Sequence, residues 1–315
     1  MRAMTAECAA PAWRAAIKTW WQASRPPFFI ATLGPLILGF TATIKYTGRA
    51  RPGLFALVLG ASFMVHAATN MANDLFDHLQ GVDAGAGIGG SRVIQEGKLS
   101  PRALGLALVV LYGLALAAAF VIVDFSGRPA LMWSLIILAA LSSFFYVAPP
   151  IRYGHRALGE VMVFLNMGLI MTVGTFLALA DGRWDSRVAA LALPVAFMVA
   201  DILYFQSLPE MELDRAVGKL TLAGWLGPEQ AVLVQALWWP TVWLLLVTLW
   251  LAGLAAWPAL LGLLTLPLHL RAQKALRAAA AAADWPSLDG RGHLIRKLYF
   301  VNSLALIVAV ALNRT

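Results

Sequence analysis

Nine stretches of mainly apolar residues leave this chain few ways to fold: 27–46, 53–73, 103–123, 130–148, 158–180, 188–208, 231–253, 256–272 and 294–312. Each is close to the roughly 20 residues a helix needs to cross a bilayer core. The runs are rich in Ala and Leu and show no period-two alternation, so helices rather than transmembrane strands are expected. A backbone inside lipid has no water to bond to, and the helix satisfies its own amides and carbonyls. The expected fold class is therefore all-α, a polytopic membrane protein of nine transmembrane helices. With 60% hydrophobic and 13% charged residues the chain lies outside the usual range of soluble domains. One transmembrane domain is the economical reading of 1–315. Pro35, Pro194, Pro240 and Pro267 fall inside runs and are expected to bend them.

Within residues 1–26, the stretch from Pro11 to Ser24 interleaves Trp13, Ile17, Trp20 and Trp21 with Arg14 and Lys18. That is the pattern of an interfacial amphipathic helix rather than of a cleaved signal peptide. With the N-terminus cytoplasmic, 17 of the 24 Lys and Arg residues fall on inner segments and seven on outer ones. This asymmetry is what an inner cell membrane protein shows, with the ends of the second and sixth runs facing the cytoplasm. The net charge of +8 does not imply nucleic acid, since no compact basic and aromatic module is present. Cys8, the only cysteine, excludes a disulfide framework and thiolate-rich metal sites.

The chemistry-bearing residues gather at two run ends. Asn70, Asp74 and Asp77 recur at steps of four and three, which puts them on one helical stripe; Asn73 lies between them, and Asp83 follows Gly81, a helix stop. Gln206, Glu210 and Asp214 recur at steps of four after the sixth run, followed by Arg215, Gly218, Lys219 and Thr221. A carboxylate at mid-bilayer costs about 2.5–3.5 kcal/mol on insertion scales, so such acids need a partner unless they sit solvated among headgroups. Hard oxygen ligands suit Mg²⁺, which binds through a few carboxylates plus substrate phosphates. Two acidic stripes flanked by Arg92, Arg215 and Lys219 therefore point to a metal-bridged diphosphate. Gly81, Gly85, Gly87, Gly89 and Gly90 give flexible backbone that either closes over phosphate oxygens or is plain linker.

Other residues read less sharply. Tyr146, Phe145, Phe164 and Tyr204 lie on spans where a ring face stabilises a cation, and Tyr146 is the one assigned that role. Glu160, at the start of the fifth run, suits proton or acceptor handling, or is an interfacial acid. His66, one turn before Asn70, reads as a satisfied structural group. His155, between Arg152 and Arg156, reads as part of a basic membrane-facing loop. Asp201 is the main further acid within a span.

Several motifs together carry a resemblance. They are Ala23-Ser24-Arg25-Pro26, the Asn70 to Asp83 signature, Ser91-Arg92-Val93-Ile94-Gln95-Glu96-Gly97, Pro149-Pro150-Ile151-Arg152-Tyr153, Leu158-Gly159-Glu160, Gly174-Thr175-Phe176 and Asp214-Arg215-Ala216-Val217-Gly218-Lys219-Leu220-Thr221-Leu222. Over nearly its whole length the chain resembles the UbiA superfamily of intramembrane prenyltransferases, and within it the menaquinone branch, the dihydroxynaphthoate prenyltransferases. The resemblance implies nine helices around a central cavity open laterally to lipid, under cytoplasmic cap loops. It implies two Mg²⁺ ions held by Asp74, Asp77, Asp83 and Asp214, with Glu210 as a further ligand. Asn70 and Asn73 would orient ligands, and Arg92, Arg152, Arg215 and Lys219 would bind the diphosphate. The catalytic set is then Asp74, Asp77, Asp214 and Tyr146. The chain departs from the family at Gln206 and Glu210, each one methylene longer than the usual Asn and Asp, and at Pro209, a position often basic in the menaquinone branch.

The expected activity is Mg²⁺-dependent transfer of a polyprenyl group from its diphosphate to an aromatic acceptor, as in quinone biosynthesis. A membrane terpene cyclase would share the ionisation step. A transporter or lipid-binding protein would use its intramembrane acids for ions or protons, and would carry acids deep in both halves of the bilayer.

Overall fold

The computed structural model describes residues 12–82 and 89–314; Cys8, Pro11, Asp83, Gly85 and Gly87 lie outside the described residues. The described chain is helical, and one isolated parallel bridge, Arg156 with Leu220, is its sole β pairing. Helix α1 (Ala12–Ser24) leaves Trp13, Ile17 and Trp21 exposed at steps of four, an apolar stripe. Such a stripe suits the headgroup boundary. A 3-10 turn, Pro26–Phe28, leads into α2 (Ile30–Thr47).

Proline starts the next helices: α3 (Pro52–Leu79), α4 (Pro101–Asp124) and α5 (Pro129–Phe145) each carry it in the first turn, where its fixed φ is pre-set and its missing N–H is not needed. Ser100 caps α4 by accepting from the Ala103 amide at 3.1 Å. The segment Gly159–Leu179 crosses as α6 (Gly159–Val163), a π-helical stretch Phe164–Ile170, and α7 (Met171–Leu179). Helix α8 (Ser186–Ser207) is capped by Asp185 and stops just before Pro209; short α9 (Met211–Ala216) and α10 (Leu222–Leu226) follow. Helix α11 (Pro228–Leu251), a 3-10 stretch Trp257–Thr265, α12 (Leu266–Ala282) and α13 (Gly292–Leu312) complete the chain.

Among the described residues seven helical segments are long and apolar enough to cross a membrane. The two other expected spans correspond to the 17-residue apolar helix α5 and to the 3-10 stretch running into α12. By length and composition, then, the expected count of nine is not reached. Pro35, Pro194 and Pro240 lie inside α2, α8 and α11, but Pro267 opens α12 rather than bending a span.

The order of neighbours closes on itself: α3 packs on α4, α4 on α5, α5 on α7, α7 on α8, α8 on α11, α11 on α12, α12 on α13, α13 on α2 and α2 on α3. Small residues let the helices meet closely. A Cβ on Gly39 would lie 2.6 Å from the Thr172 carbonyl, and one on Gly168 2.2 Å from Ala196 Cα. Burial is uneven around the ring. Ser186–Ser207 is 72% buried within its most apolar window, against 22% for Pro52–Leu79 and 28% for Pro101–Asp124. The α8–α11–α12–α13 side holds the largest core, built on Trp239, Tyr204, Tyr299 and Leu298. The α3–α4–α5 side is a thin wall, and behind it lies the site.

Candidate active site

The two acidic ends meet through one lysine. Asp77, in the last turn of α3, is buried, and Lys219 Nζ lies 3.6 Å from its Oδ2 and 3.4 Å from Asp214 Oδ1. Local chain geometry brings Lys219 there. Helix α9 ends as the Val217 and Lys219 amides both donate to the Asp214 carbonyl, at 3.2 and 2.8 Å, and Gly218 turns the chain at φ 79°. That left-handed turn favours glycine, and it folds Lys219 back beside Asp214. The Asp214 carboxyl is pushed up to about 6: burial raises it most, Glu210 and Asp77 add to the rise, and Lys219 draws it back. Burial would lower the Lys219 ammonium, but Asp77, Asp214 and Glu210 outweigh it and hold the ammonium above its ordinary value.

His155 completes the junction. Its Nε2 lies 3.0 Å from Asp77 Oδ1, both residues being buried, and its carbonyl accepts from the Leu220 amide at 3.2 Å. The expected membrane-facing basic loop is corrected on this point: the loop turns inward, stitched to the strand-like segment after Lys219, because a buried Asp77 needs a donor. Asp77, His155, Glu160, Glu210, Asp214 and Lys219 all line a polar chamber of about 260 Å³. Gln206 and Asn73 line it too, although α8 ends before Pro209 and the 206/210/214 stripe is not one continuous helix.

The other candidates are placed differently. Both oxygens of Asp74 are engaged by Arg25 and by Ser91, whose amide donates at 3.1 Å, so this acid ties the entry of α2 to the loop after α3 and does not line the chamber. Asn70 donates to the Ser24 carbonyl at 2.9 Å and faces the neighbouring apolar cavity. Arg152 donates to Gln80 at 2.6 Å, and Arg215 is exposed on α9; neither lines the chamber, nor does Arg92. Glu210 Oε1 accepts from the Gly89 amide at 2.6 Å, and a Cβ on Gly89 would lie 2.0 Å from Oε2. Asp83 lies outside the described residues.

An apolar cavity of about 520 Å³ continues from the chamber; Arg25, Asn73, Tyr146, Leu203 and Gln206 line both. Along α3 its wall is Val58, Ala61, Ser62, Val65, His66, Thr69, Asn70 and Asn73, the three-and-four spacing of one helix face. The fifteen steps from Val58 to Asn73 rise about 22 Å. Tyr146 stands at the junction because two glycines make room: a Cβ on Gly154 would meet its ring at 2.9 Å, and one on Gly159 its hydroxyl at 3.5 Å. Tyr153 packs edge-on against it at 5.3 Å. Of the other aromatic candidates, Tyr204 is buried and donates to the Ala231 carbonyl, Phe164 packs on Phe197 and Phe145 on Phe144; none lines either space. His66 pairs with Thr32 at 2.6 Å. Asp201 accepts from Trp239 at 2.7 Å, away from both spaces.

Among the described residues no group of three or more His, Cys, Asp or Glu gathers closely enough to hold a metal ion by itself. The donors that do converge on the chamber are oxygens of Asp77, Asp214, Glu210, Asn73 and Gln206, the hard set that fits a divalent cation sharing its shell with water and substrate phosphate. Lys219, between the two Asp residues, already shows the place to require positive charge.

A model of the UbiA prenyltransferase family matches residues 32–310. The 1,4-dihydroxy-2-naphthoate octaprenyltransferase of Haemophilus influenzae is 28% identical over 216 residues, covering 67% of this chain and 70% of that protein. The human UbiA prenyltransferase domain-containing protein 1 is 26% identical over 305 residues, covering 96% and 88%. Among solved structures, one concerning digeranylgeranylglyceryl phosphate synthase superposes with a TM-score of 0.63 at 16% identity, over 94% of this chain and 98% of that one. A UbiA homolog from Archaeoglobus fulgidus bound to GPP and Mg²⁺ gives 0.59 at 17% identity, over 92% and 99%. The two structures share the fold with this chain.

Proposed function

Because the chain belongs to the UbiA prenyltransferase family, and is thus a multi-pass membrane prenyltransferase, we propose that it moves a prenyl group from its diphosphate to a hydroxylated aromatic acceptor of the dihydroxynaphthoate kind, with Mg²⁺. The observation that carries this reading is the pair of joined spaces, one polar and acidic around Lys219, the other apolar and about 22 Å long. A diphosphate with a hydrocarbon tail has the same two-part chemistry. The basic asymmetry of the sequence supports a chamber facing the cytoplasm. Two relatives named as dihydroxynaphthoate octaprenyltransferases support the acceptor class.

Asp77, Asp214 and Glu210, with Asn73 and Gln206, would hold the metal, two Mg²⁺ ions in this proposal. Bound there, Mg²⁺ supplies neutralising charge to the diphosphate as its negative charge grows. Lys219 binds phosphate oxygens and keeps its proton, as the surrounding carboxylates dictate. His155 holds Asp77 in place. The C1–O bond of the donor breaks with its electron pair leaving on the diphosphate, and a ring carbon of the acceptor gives the pair that forms the new bond to C1. Tyr146, at the junction, presents its ring to the allylic cation, and the apolar walls exclude the water that would quench it. The proton or carbon dioxide displaced from the attacked carbon leaves the ring, and Glu160 is the chamber carboxylate placed to take a proton.

The test is diphosphate release from purified protein with Mg²⁺ and geranylgeranyl diphosphate, with and without 1,4-dihydroxy-2-naphthoate, lipid products being read by mass spectrometry. Acceptor-dependent release with a prenylated aromatic product is expected. Acceptor-independent release with a hydrocarbon product would instead identify a cyclase.

A further inference from the structure

We propose that Asn166 reads a hydroxyl group on the aromatic acceptor, its amide oxygen accepting a hydrogen bond from that hydroxyl; the inference rests on the acceptor class proposed above. Asn166 is the one strongly polar side chain of the π-helical stretch Phe164–Ile170 and lines the apolar cavity. Its Nδ2 donates to the Met162 carbonyl at 2.9 Å and to Ser142 Oγ at 2.7 Å. A backbone carbonyl has no hydrogen to give, so the amide must present its nitrogen to Met162. Both N–H groups are then spent, and Oδ1 is left as the acceptor on the other edge, with no donor to it among the described residues. Ser142 is itself braced by Tyr153, whose hydroxyl lies 2.9 Å from Ser142 Oγ and donates to the Ser142 carbonyl at 2.6 Å. The amide is therefore held in one orientation before any ligand arrives.

A hydrocarbon tail gains nothing from an amide oxygen, whereas a hydroxyl donor would meet the acceptor that Oδ1 turns to the cavity. π-helical turns are rare and recur at functional sites; here the turn carries the lone amide of its wall. Asn166 lies seven residues, about 10 Å, along the span from Gly159, which abuts Tyr146. An aromatic acceptor whose reacting carbon meets the donor at Tyr146 extends toward it. Among the described residues the cavity has no lysine and one arginine, Arg25 at its junction with the chamber, so a neutral hydroxyl suits this depth and a phosphate does not.

The proposal is tested by measuring kcat and KM separately for 1,4-dihydroxy-2-naphthoate and its two monomethyl ethers, with geranylgeranyl diphosphate and Mg²⁺, in the wild type, Asn166→Leu and Ser142→Ala. The wild type should favour the free hydroxyl over at least one ether by about tenfold in kcat/KM, carried by KM, as one hydrogen bond provides. Asn166→Leu should abolish that preference, and Ser142→Ala, which removes one of the two acceptors that brace the amide and so loosens the placement of Oδ1, should reduce it. Unchanged preference in Asn166→Leu overturns the proposal; if that variant does not fold, unchanged preference in Ser142→Ala does so. A wild type that prenylates the naphthoate and both ethers equally also overturns it while leaving the transferase reading intact. A wild type that prenylates none of the three overturns both.

Discussion

Asp74 and Asp77 are three residues apart and do different work. Asp77 faces the chamber with His155 and Lys219, whereas Asp74 neutralises Arg25 and holds Ser91. Asp77→Asn should cut prenyl transfer per folded enzyme at least about a hundredfold, the scale of losing a preorganised charge at a reacting centre, well beyond what the lost pairs with His155 and Lys219 take from stability. Asp74→Asn should lower stability by about 2–3 kcal/mol, at the low end for a broken buried pair because Arg25 keeps 18% exposure, and should retain more activity. Gly89→Ala tests the contact with Glu210: its Cβ would sit 2.0 Å from Oε2, so the donor KM should rise several-fold while the fold melts normally. At this scale the sequence was informative where spacing and chemistry coincide. Asp77, Asp214 and Lys219 were legible from it. The engagement of Asp74 by Arg25, 49 residues away, was not, nor was the inward turn of His155, because neither leaves a local pattern. Arg25, Arg92 and Arg152 share a signal that only the backbone reveals: each has a left-handed φ, 51°, 58° and 43°, which costs a non-glycine residue about 1–3 kcal/mol.

At the scale of elements, hydrophobic runs gave the helices but not their interior irregularities. The run 158–180 reads as one span, yet it contains the π turn that aims Asn166, and periodicity over so short a stretch cannot register one extra residue in a turn. The run 256–272 divides for a visible reason. Pro258 opens the 3-10 stretch, Gly262 takes Asn302 against its backbone, and Pro267 restarts the chain as α12. Close approach is as consequential as register. A Cβ on Gly168 would lie 2.2 Å from Ala196, so Gly168→Ala must push the π turn off α8; a loss of about 1–3 kcal/mol in stability is expected, read as a lower unfolding temperature in detergent.

For the whole molecule, the ring of helices sets a ruler. Counting from Asn73, where chamber and cavity meet, Ala61 lies twelve residues, about 18 Å, along the α3 wall. An extended five-carbon isoprene unit covers about 5 Å at ordinary bond lengths, so Ala61 flanks the fourth unit. Ala61→Phe should reduce kcat/KM for a 20-carbon donor by about tenfold or more and leave a 10-carbon donor within a few-fold, measured on a donor series at saturating acceptor. No spacing within one run shows this depth, because α2, α3, α4, α5, the span Gly159–Leu179 and α8, from distant parts of the chain, share the wall.

The thin side of the ring, where α3 and α4 are largely unburied, has a kinetic consequence. In the proposed reaction the prenyl donor, held in the bilayer by its hydrocarbon tail, meets the enzyme as a solute of the lipid phase, so at saturating acceptor what governs the rate is its number per unit of membrane area rather than its molarity in the test tube. With the acceptor held saturating, adding inert phospholipid at constant bulk amounts of enzyme and donor should slow turnover, whereas diluting the whole vesicle suspension with buffer of the same acceptor concentration should leave the rate per enzyme unchanged.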